Sequence, residues 1–210
     1  MPGRVKYPRT PHLPWSPGAS SDDTRVADVH SFEGREVVVT EKLDGENTTL
    51  YRDGLHARSL DPRPHPSRDW MKGLQGRIGY LIPEGWRVCG ENLYARHSLA
   101  YEELASYFYL FSVWDETNTC LGWDETRLWA QELGVPTPRE LYRGPWDERS
   151  IRGLQVNERE MEGHVVRTTQ GFPFAEFALH VAKWVRPDHV QTDEHWLHQA
   201  VVPNRLKGQE

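Results

Sequence analysis

The sequence predicts an α+β domain built on antiparallel sheets flanked by helices. Three observations support this. Short β-branched and aromatic runs recur along the chain, helical segments fall between them without regular alternation, and the turn dipeptide Asp53-Gly54 joins two of the runs as a hairpin.

The first two dozen residues carry Pro2, Pro8, Pro11, Pro14 and Pro17, then Gly18-Ala19-Ser20-Ser21-Asp22-Asp23, so no regular element of any length fits there. Residues 1–24 read as an extended, proline-rich N-terminal arm and residues 25–210 as a single domain. The arm is either a disordered leader or, through Tyr7, Leu13 and Trp15, a segment packed across the domain surface. From Arg35 the character changes. Glu36-Val37-Val38-Val39-Thr40 is a β-branched strand, and Thr48-Thr49-Leu50-Tyr51-Arg52 and Leu55-His56-Ala57-Arg58 form the two sides of the hairpin. Further strands are expected at 86–90, 107–114, 163–168 and 178–184. Helices fit 67–81 and 124–133, the second capped by Asp124 and closed by Gly134 and Pro136. The segment from Pro187 to Trp196 reads as a closing helix. No internal repeat or low-complexity tract is present.

With 210 residues, 37% of them hydrophobic, the chain is long enough to bury a substantial core. No apolar run approaches the roughly 20 residues that span a bilayer, and no apolar signal core opens the chain, so a cytoplasmic protein without a membrane partner is expected. Cys89 and Cys120 are not spaced like metal ligands and read as buried thiols. The net charge of −6 excludes a protein that grips nucleic acid over its whole surface. Any such contact needs a local patch. Arg58, Arg63, Arg68, Lys72 and Arg77 supply one, unless they are an ordinary solvated surface.

The most informative stretch is Glu41-Lys42-Leu43-Asp44-Gly45-Glu46-Asn47. It sets a lysine and a carboxylate at the exit of a strand, followed by a glycine that permits a tight turn. A lysine amine attacks phosphorus only when deprotonated, so its pKa of about 10.4 has to be lowered by burial, neighbouring cations or a metal. On its own the fragment reads more readily as a solvated lysine before a turn.

Companions follow in a fixed order: Ala57-Arg58-Ser59, then Gly90-Glu91-Asn92-Leu93-Tyr94, Phe108-Tyr109-Leu110-Phe111, Glu162-Gly163-His164-Val165-Val166-Arg167 and Ala182-Lys183-Trp184-Val185-Arg186. This series, with Lys42 to Gly45 as its Lys-x-Asp-Gly signature, resembles the covalent nucleotidyltransferase superfamily of DNA ligases, RNA ligases and mRNA capping enzymes. It covers residues 41–186. The resemblance implies an adenylation domain of the ligase, ATP-grasp-like kind, in which Lys42 takes up AMP from ATP. It further implies that Arg58 contacts the nucleotide or the incoming end, Glu91 the ribose, Phe111 the adenine and Lys183 the α-phosphate, while Glu162 helps hold magnesium or manganese. Asp44 is a second candidate for metal or water, and Glu41, Asn47 and Arg186 complete the nucleotide-binding set. No histidine pair has helical zinc-site spacing with a third ligand nearby, so hard-metal oxygen chemistry is expected.

Asn47 resembles the RNA ligases of the phage nick-sealing and RNA-editing branch, where DNA ligases and capping enzymes place arginine. The short stretch after Arg186 is read as too brief for a C-terminal oligonucleotide-binding (OB) barrel. The expected activity is therefore an ATP-dependent RNA ligase acting in RNA repair on 5′-phosphate and 3′-hydroxyl ends. DNA or hybrid strands, a repair-complex partner, or a binding module without catalysis are the alternatives. Two departures stand out. Val185 replaces the second lysine of the last motif, with Arg186 beside it, and Ser112 stands where the family commonly has aspartate.

Overall fold

The computed structural model describes residues 3–58, 66–157, 159–187 and 201–208. Two antiparallel sheets face each other. The strands are β1 (Glu36–Lys42), β2 (Glu46–Tyr51), β3 (Gly54–Ala57), β4 (Arg87–Asn92), β5 (Phe108–Trp114), β6 (Thr119–Cys120), β7 (Glu140–Pro145), β8 (Gly163–Thr168), β9 (Phe172–Pro173) and β10 (Val181–Val185). The helices are α1 (Asp69–Ile78), α2 (Trp123–Glu132), α3 (Glu148–Arg152) and α4 (Phe177–His180). One sheet runs β10-β8-β1-β7 and the other β3-β2-β4-β5-β6-β9. The α+β class and antiparallel pairing read from the sequence are those of the structure.

Side-chain alternation sorts each strand into two faces. In the first sheet Val37, Val39, Val166 and Ala182 pack outward under Ile151 of α3, Phe32 and Leu13. In the second, Leu50, Val88, Phe108 and Leu110 pack outward against Met71, Leu74 and Ile78 of α1 and Ala130 of α2. Val38, between the two outward valines, is also fully buried, so β1 is covered on both sides and its valine run shows no alternation. The inner faces meet through Cys89, Trp114 and Cys120 from the second sheet and Val181 and Val165 from the first. Both cysteines are buried free thiols.

The proline-rich segment is packed on the domain. Leu13 donates its backbone N–H to the carbonyl of Lys183 at 2.7 Å, Lys183 donates to Pro11 at 2.9 Å, and Gly18 donates to Val185 at 3.0 Å. The segment therefore continues the first sheet beyond β10, and complete burial of Leu13 adds about 1.5–3 kcal/mol.

Several expected boundaries shift. The strand expected at 178–184 begins only at Val181, because Phe177-Ala178-Leu179-His180 forms α4, and Ala and Leu favour a helical turn. The helix expected at 67–81 has an α-helical centre flanked by 3-10 turns at Pro66–Arg68 and Gly79–Leu81. Asp124 lies inside α2 and pairs with Arg143 at 2.7 Å; the cap is Gly122, whose N–H donates to Glu125 at 3.0 Å. Gly134, at φ +65°, closes that helix as expected. β7 was not expected: its Arg, Gly and Pro residues show no two-residue pattern, because it is an edge strand held through β1. The closing helix, Trp196, Ser59 and Arg63 lie outside the described residues. Among the described residues no helix is long and apolar enough to cross a membrane.

Candidate active site

A cleft of about 500 Å³ opens between the inner faces of the sheets, within the range of small-molecule sites. Strand register determines what reaches it. Lys42 is the last residue of β1 and pairs with Gly163, the first of β8, so Glu162 is placed directly beside it. The Lys42 ammonium donates to the Glu162 carboxylate in a short ion pair. On β8, Val165 pairs with Lys183 of β10, and both side chains line the cleft. The second sheet contributes Asn47, Glu91 and Phe111.

The turn after Lys42 is fixed from three directions. Gly45 donates its N–H to Glu91 Oε1 at 3.1 Å. Three donors converge on Asp44 Oδ2: Ser98 N–H at 2.8 Å, Ser98 hydroxyl at 2.6 Å and Leu99 N–H at 3.0 Å. The Asp44 N–H in turn donates to the Tyr101 hydroxyl at 2.9 Å. This oxygen of Asp44 is therefore committed to holding the 98–101 loop against the turn that follows Lys42. Gly45 is not in the left-handed region. A Cβ there would lie 2.4 Å from the Asn92 carbonyl, so the glycine is required by close approach of the turn to β4.

Charge is unevenly distributed. Burial pulls the Lys42 pKa down, but Glu162 and Glu91, joined by Asp44, pull it up further, and the net shift is upward. The expectation of a lowered pKa is corrected here: the carboxylates that surround the lysine outweigh its burial and keep it protonated in the unliganded site. Burial pushes Glu91 up to about 8; Lys42 opposes this, and Glu162 and Asp44 add to it. Lys183 is pulled down to about 8, first by burial and then by Lys42.

Of the residues singled out in the sequence, Glu41, Lys42, Asp44, Asn47, Arg58, Glu91, Phe111, Glu162 and Lys183 all line this cleft. Glu41 is turned toward Arg139, at 3.3 Å. Arg186 does not line it. Strand alternation points Val181 and Lys183 inward, whereas Arg186 leaves the strand end, bonds its N–H to the Glu162 carbonyl at 3.0 Å and approaches Ser98 Oγ at 3.5 Å. Sequence reasoning missed the Arg68–Glu46 pair on the cleft wall, with Arg68 Nε 3.0 Å and 3.1 Å from the two carboxylate oxygens. It also missed Arg167, which donates to the Phe111 carbonyl at 3.3 Å and the Leu121 carbonyl at 2.8 Å. Period-two spacing from Val165 would have placed Arg167 on the inner face; Arg68 belongs to the basic cluster, but nothing in the sequence marks it as the partner of Glu46.

The donor set suits a metal–nucleotide ligand. The Asn47 side-chain oxygen is buried in the cleft without a hydrogen-bond partner, an acceptor position for a ligand hydroxyl or amine. Among the described residues no group of three or more His, Cys, Asp or Glu side chains could hold a metal by itself.

Comparison with known proteins agrees with this geometry. Residues 35–185 match the RNA ligase family model. The fold is similar to an archaeal ATP-dependent RNA ligase, with a TM-score of 0.58 and 18% identity over 86% of this chain and 48% of that one. It is also similar to a Naegleria gruberi RNA ligase with pyrophosphate, with a TM-score of 0.54 and 19% identity over 75% of this chain and 51% of that one. A mutant of the latter with AMP and Mn superposes with a TM-score of 0.53 at 18% identity, over the same shares of the two chains. The chain thus spans about half the length of the structures it matches. No curated protein matches it. With the family model covering the strands that carry Lys42, Glu91, Phe111, Glu162 and Lys183, this chain belongs to the RNA ligase family.

Proposed function

We propose that this protein is an ATP-dependent RNA ligase that forms a covalent lysyl-AMP on Lys42 and passes the AMP to a 5′-phosphate end in RNA repair. The observation that carries the proposal is the convergence in one cleft of an amine nucleophile, a second cation at Lys183, two buried carboxylates and an aromatic platform at Phe111. Phosphoryl transfer requires positioning and charge neutralisation more than elaborate acid or base groups, and this set supplies both.

The reaction runs in three displacements. Lys42 Nζ attacks the α-phosphorus of ATP, its N–P bond forms as the bond to pyrophosphate breaks, and the amine proton leaves with the products. A 5′-phosphate oxygen then attacks the same phosphorus and releases Lys42. A 3′-hydroxyl finally attacks the 5′-phosphorus and displaces AMP. Lys183 neutralises α-phosphate charge, Phe111 offers its ring face to the base, and Asn47 and the remaining Glu91 oxygen offer acceptors to ribose hydroxyls. Glu162, with the second oxygen of Asp44 as the other candidate ligand, would hold a magnesium or manganese ion, whose charge offsets the carboxylate pull that keeps Lys42 protonated and so favours the free amine. The matched structures that contain ATP or AMP with Mn support this cofactor set.

The test is intact-protein mass spectrometry after incubation with ATP or GTP and magnesium. The expected result is an AMP-sized adduct from ATP only, lost in Lys42→Ala. An adduct that survives in the mutant refutes the assigned nucleophile, and no adduct from pyrophosphate-treated protein favours a binding module without catalysis.

A further inference from the structure

Residues 3–13 do more than decorate the surface, because they join the two sheets. At one end Arg4 pairs with Asp53 at 3.0 Å and lies 4.3 Å from the centre of the Tyr51 ring, while the Val5 N–H donates to the Tyr51 hydroxyl at 2.9 Å. These contacts are on the β2–β3 hairpin of the second sheet. At the other end Pro11 and Leu13 bracket Lys183 on the first sheet through the two backbone hydrogen bonds described above. Residues 6–10 lie between these pins, and all five line the nucleotide cleft.

Tyr7 is the residue of this span that turns inward. Its ring centre lies 5.3 Å from that of Phe111 at an interplanar angle of 70°, and 5.5 Å from that of Phe177 at 84°. Its hydroxyl lies beside Ser112, whose own hydroxyl accepts the Trp114 indole N–H at 3.1 Å.

We infer that the N-terminal segment is a strap forming the third wall of the nucleotide cleft, and that Tyr7 is a positioning residue that fixes the Phe111 ring and thereby sets the base pocket. The inference rests on the ligase reading and deepens it. An edge-to-face aromatic pair limits how far the Phe111 ring can tilt, and a ring held at one angle loses less freedom when a base stacks on it. The two pins keep the strap from sliding along the sheets.

The experiment measures the rate of AMP-adduct formation against ATP concentration for wild type, Tyr7→Ala, Tyr7→Leu and Tyr7→Phe. For Tyr7→Ala the half-saturating ATP concentration should rise roughly 3- to 10-fold, the size expected for loss of one aromatic pair. The rate at saturating ATP should stay near wild type. Tyr7→Phe, which keeps the ring, should restore most of the affinity, and Tyr7→Leu, which fills the volume without a ring edge, should not. If Tyr7→Ala does not fold, the comparison of Leu with Phe decides. Equal half-saturation in the Leu and Phe variants overturns the inference, whatever happens to the maximal rate. A wild type that forms no adduct sinks the ligase reading instead, so the two failures are distinguishable.

Discussion

Replacing His12 with asparagine should flatten the acid dependence of folding stability. His12 is completely buried; its Nδ1 lies 2.8 Å from the Ser16 hydroxyl, which itself accepts the Val185 N–H at 2.9 Å. Burial is the main reason its pKa falls from 6.5 to about 4, with Lys183 adding to the fall and the Asp23 carboxylate, 3.7 Å from Nε2, opposing it. A histidine whose folded pKa lies below its unfolded value binds fewer protons in the folded state, so it adds stability above the unfolded pKa and loses it as pH falls toward the folded one. For a shift of this size the loss between about pH 7.5 and about pH 5 is about 2 kcal/mol. Asparagine keeps an acceptor for the Ser16 hydroxyl but cannot titrate. Urea unfolding of both proteins at the two pH values isolates the contribution, because every other titrating group is shared. The wild type should lose about 2 kcal/mol more than His12→Asn over this range. Equal losses in the two proteins would show that His12 accepts a proton without cost, and the assignment of a neutral, buried imidazole beneath Lys183 would be wrong.

Two further outcomes follow from the cleft. Phe111→Ala should raise half-saturating ATP roughly 5- to 100-fold in the adduct assay, as expected for loss of a stacked base; an unchanged value removes Phe111 from the base pocket. Gly45→Ala should destabilise the fold by about 1–3 kcal/mol in urea unfolding and slow adduct formation, because the new Cβ meets the Asn92 carbonyl at 2.4 Å and breaks the Gly45–Glu91 bond; wild-type stability and rate together would show that the turn has room to move.

Much of the site was legible because strand chemistry and motif spacing coincide. Lys42 falls at the end of a β-branched run, and Glu162 opens another, so antiparallel register places them together. Phe111 and Glu91 were marked by motif resemblance, and strands β5 and β4 bring them to the cleft. What was not legible depends on contacts between segments with no period of their own. The residues of the proline-rich arm carry neither a strand nor a helix signature, and their place comes from the edge of β10 and from contacts with the β2–β3 hairpin and Phe111. Arg68 was part of a basic cluster whose sequence does not show that one member turns inward to Glu46. Arg186 was read as a replacement cation because it neighbours the expected lysine, but a shift of one residue along a strand reverses the face presented.

The placement of Lys183 shows why these hidden contacts matter for chemistry. An edge strand has one side of its backbone unpaired and is the least constrained strand of a sheet. β10 would be such a strand were it not for the arm: Lys183 lies opposite Val165 of β8, and its N–H and carbonyl are both taken by Pro11 and Leu13 on the other side. The side chain of Lys183 is thus presented from a strand paired on both sides, next to β8, which begins just after Glu162 and pairs with β1 at Lys42. Phosphate neutralisation in a partly desolvated cleft is sensitive to displacements of about 1 Å, and a lysine on a frayed edge would not hold its ammonium to that tolerance. On the proposed ligase reading, the arm that packs Tyr7 on Phe111 at one end of the cleft also pairs with Lys183 at the other, so that one segment of about ten residues would serve both the base and the phosphate end of a nucleotide.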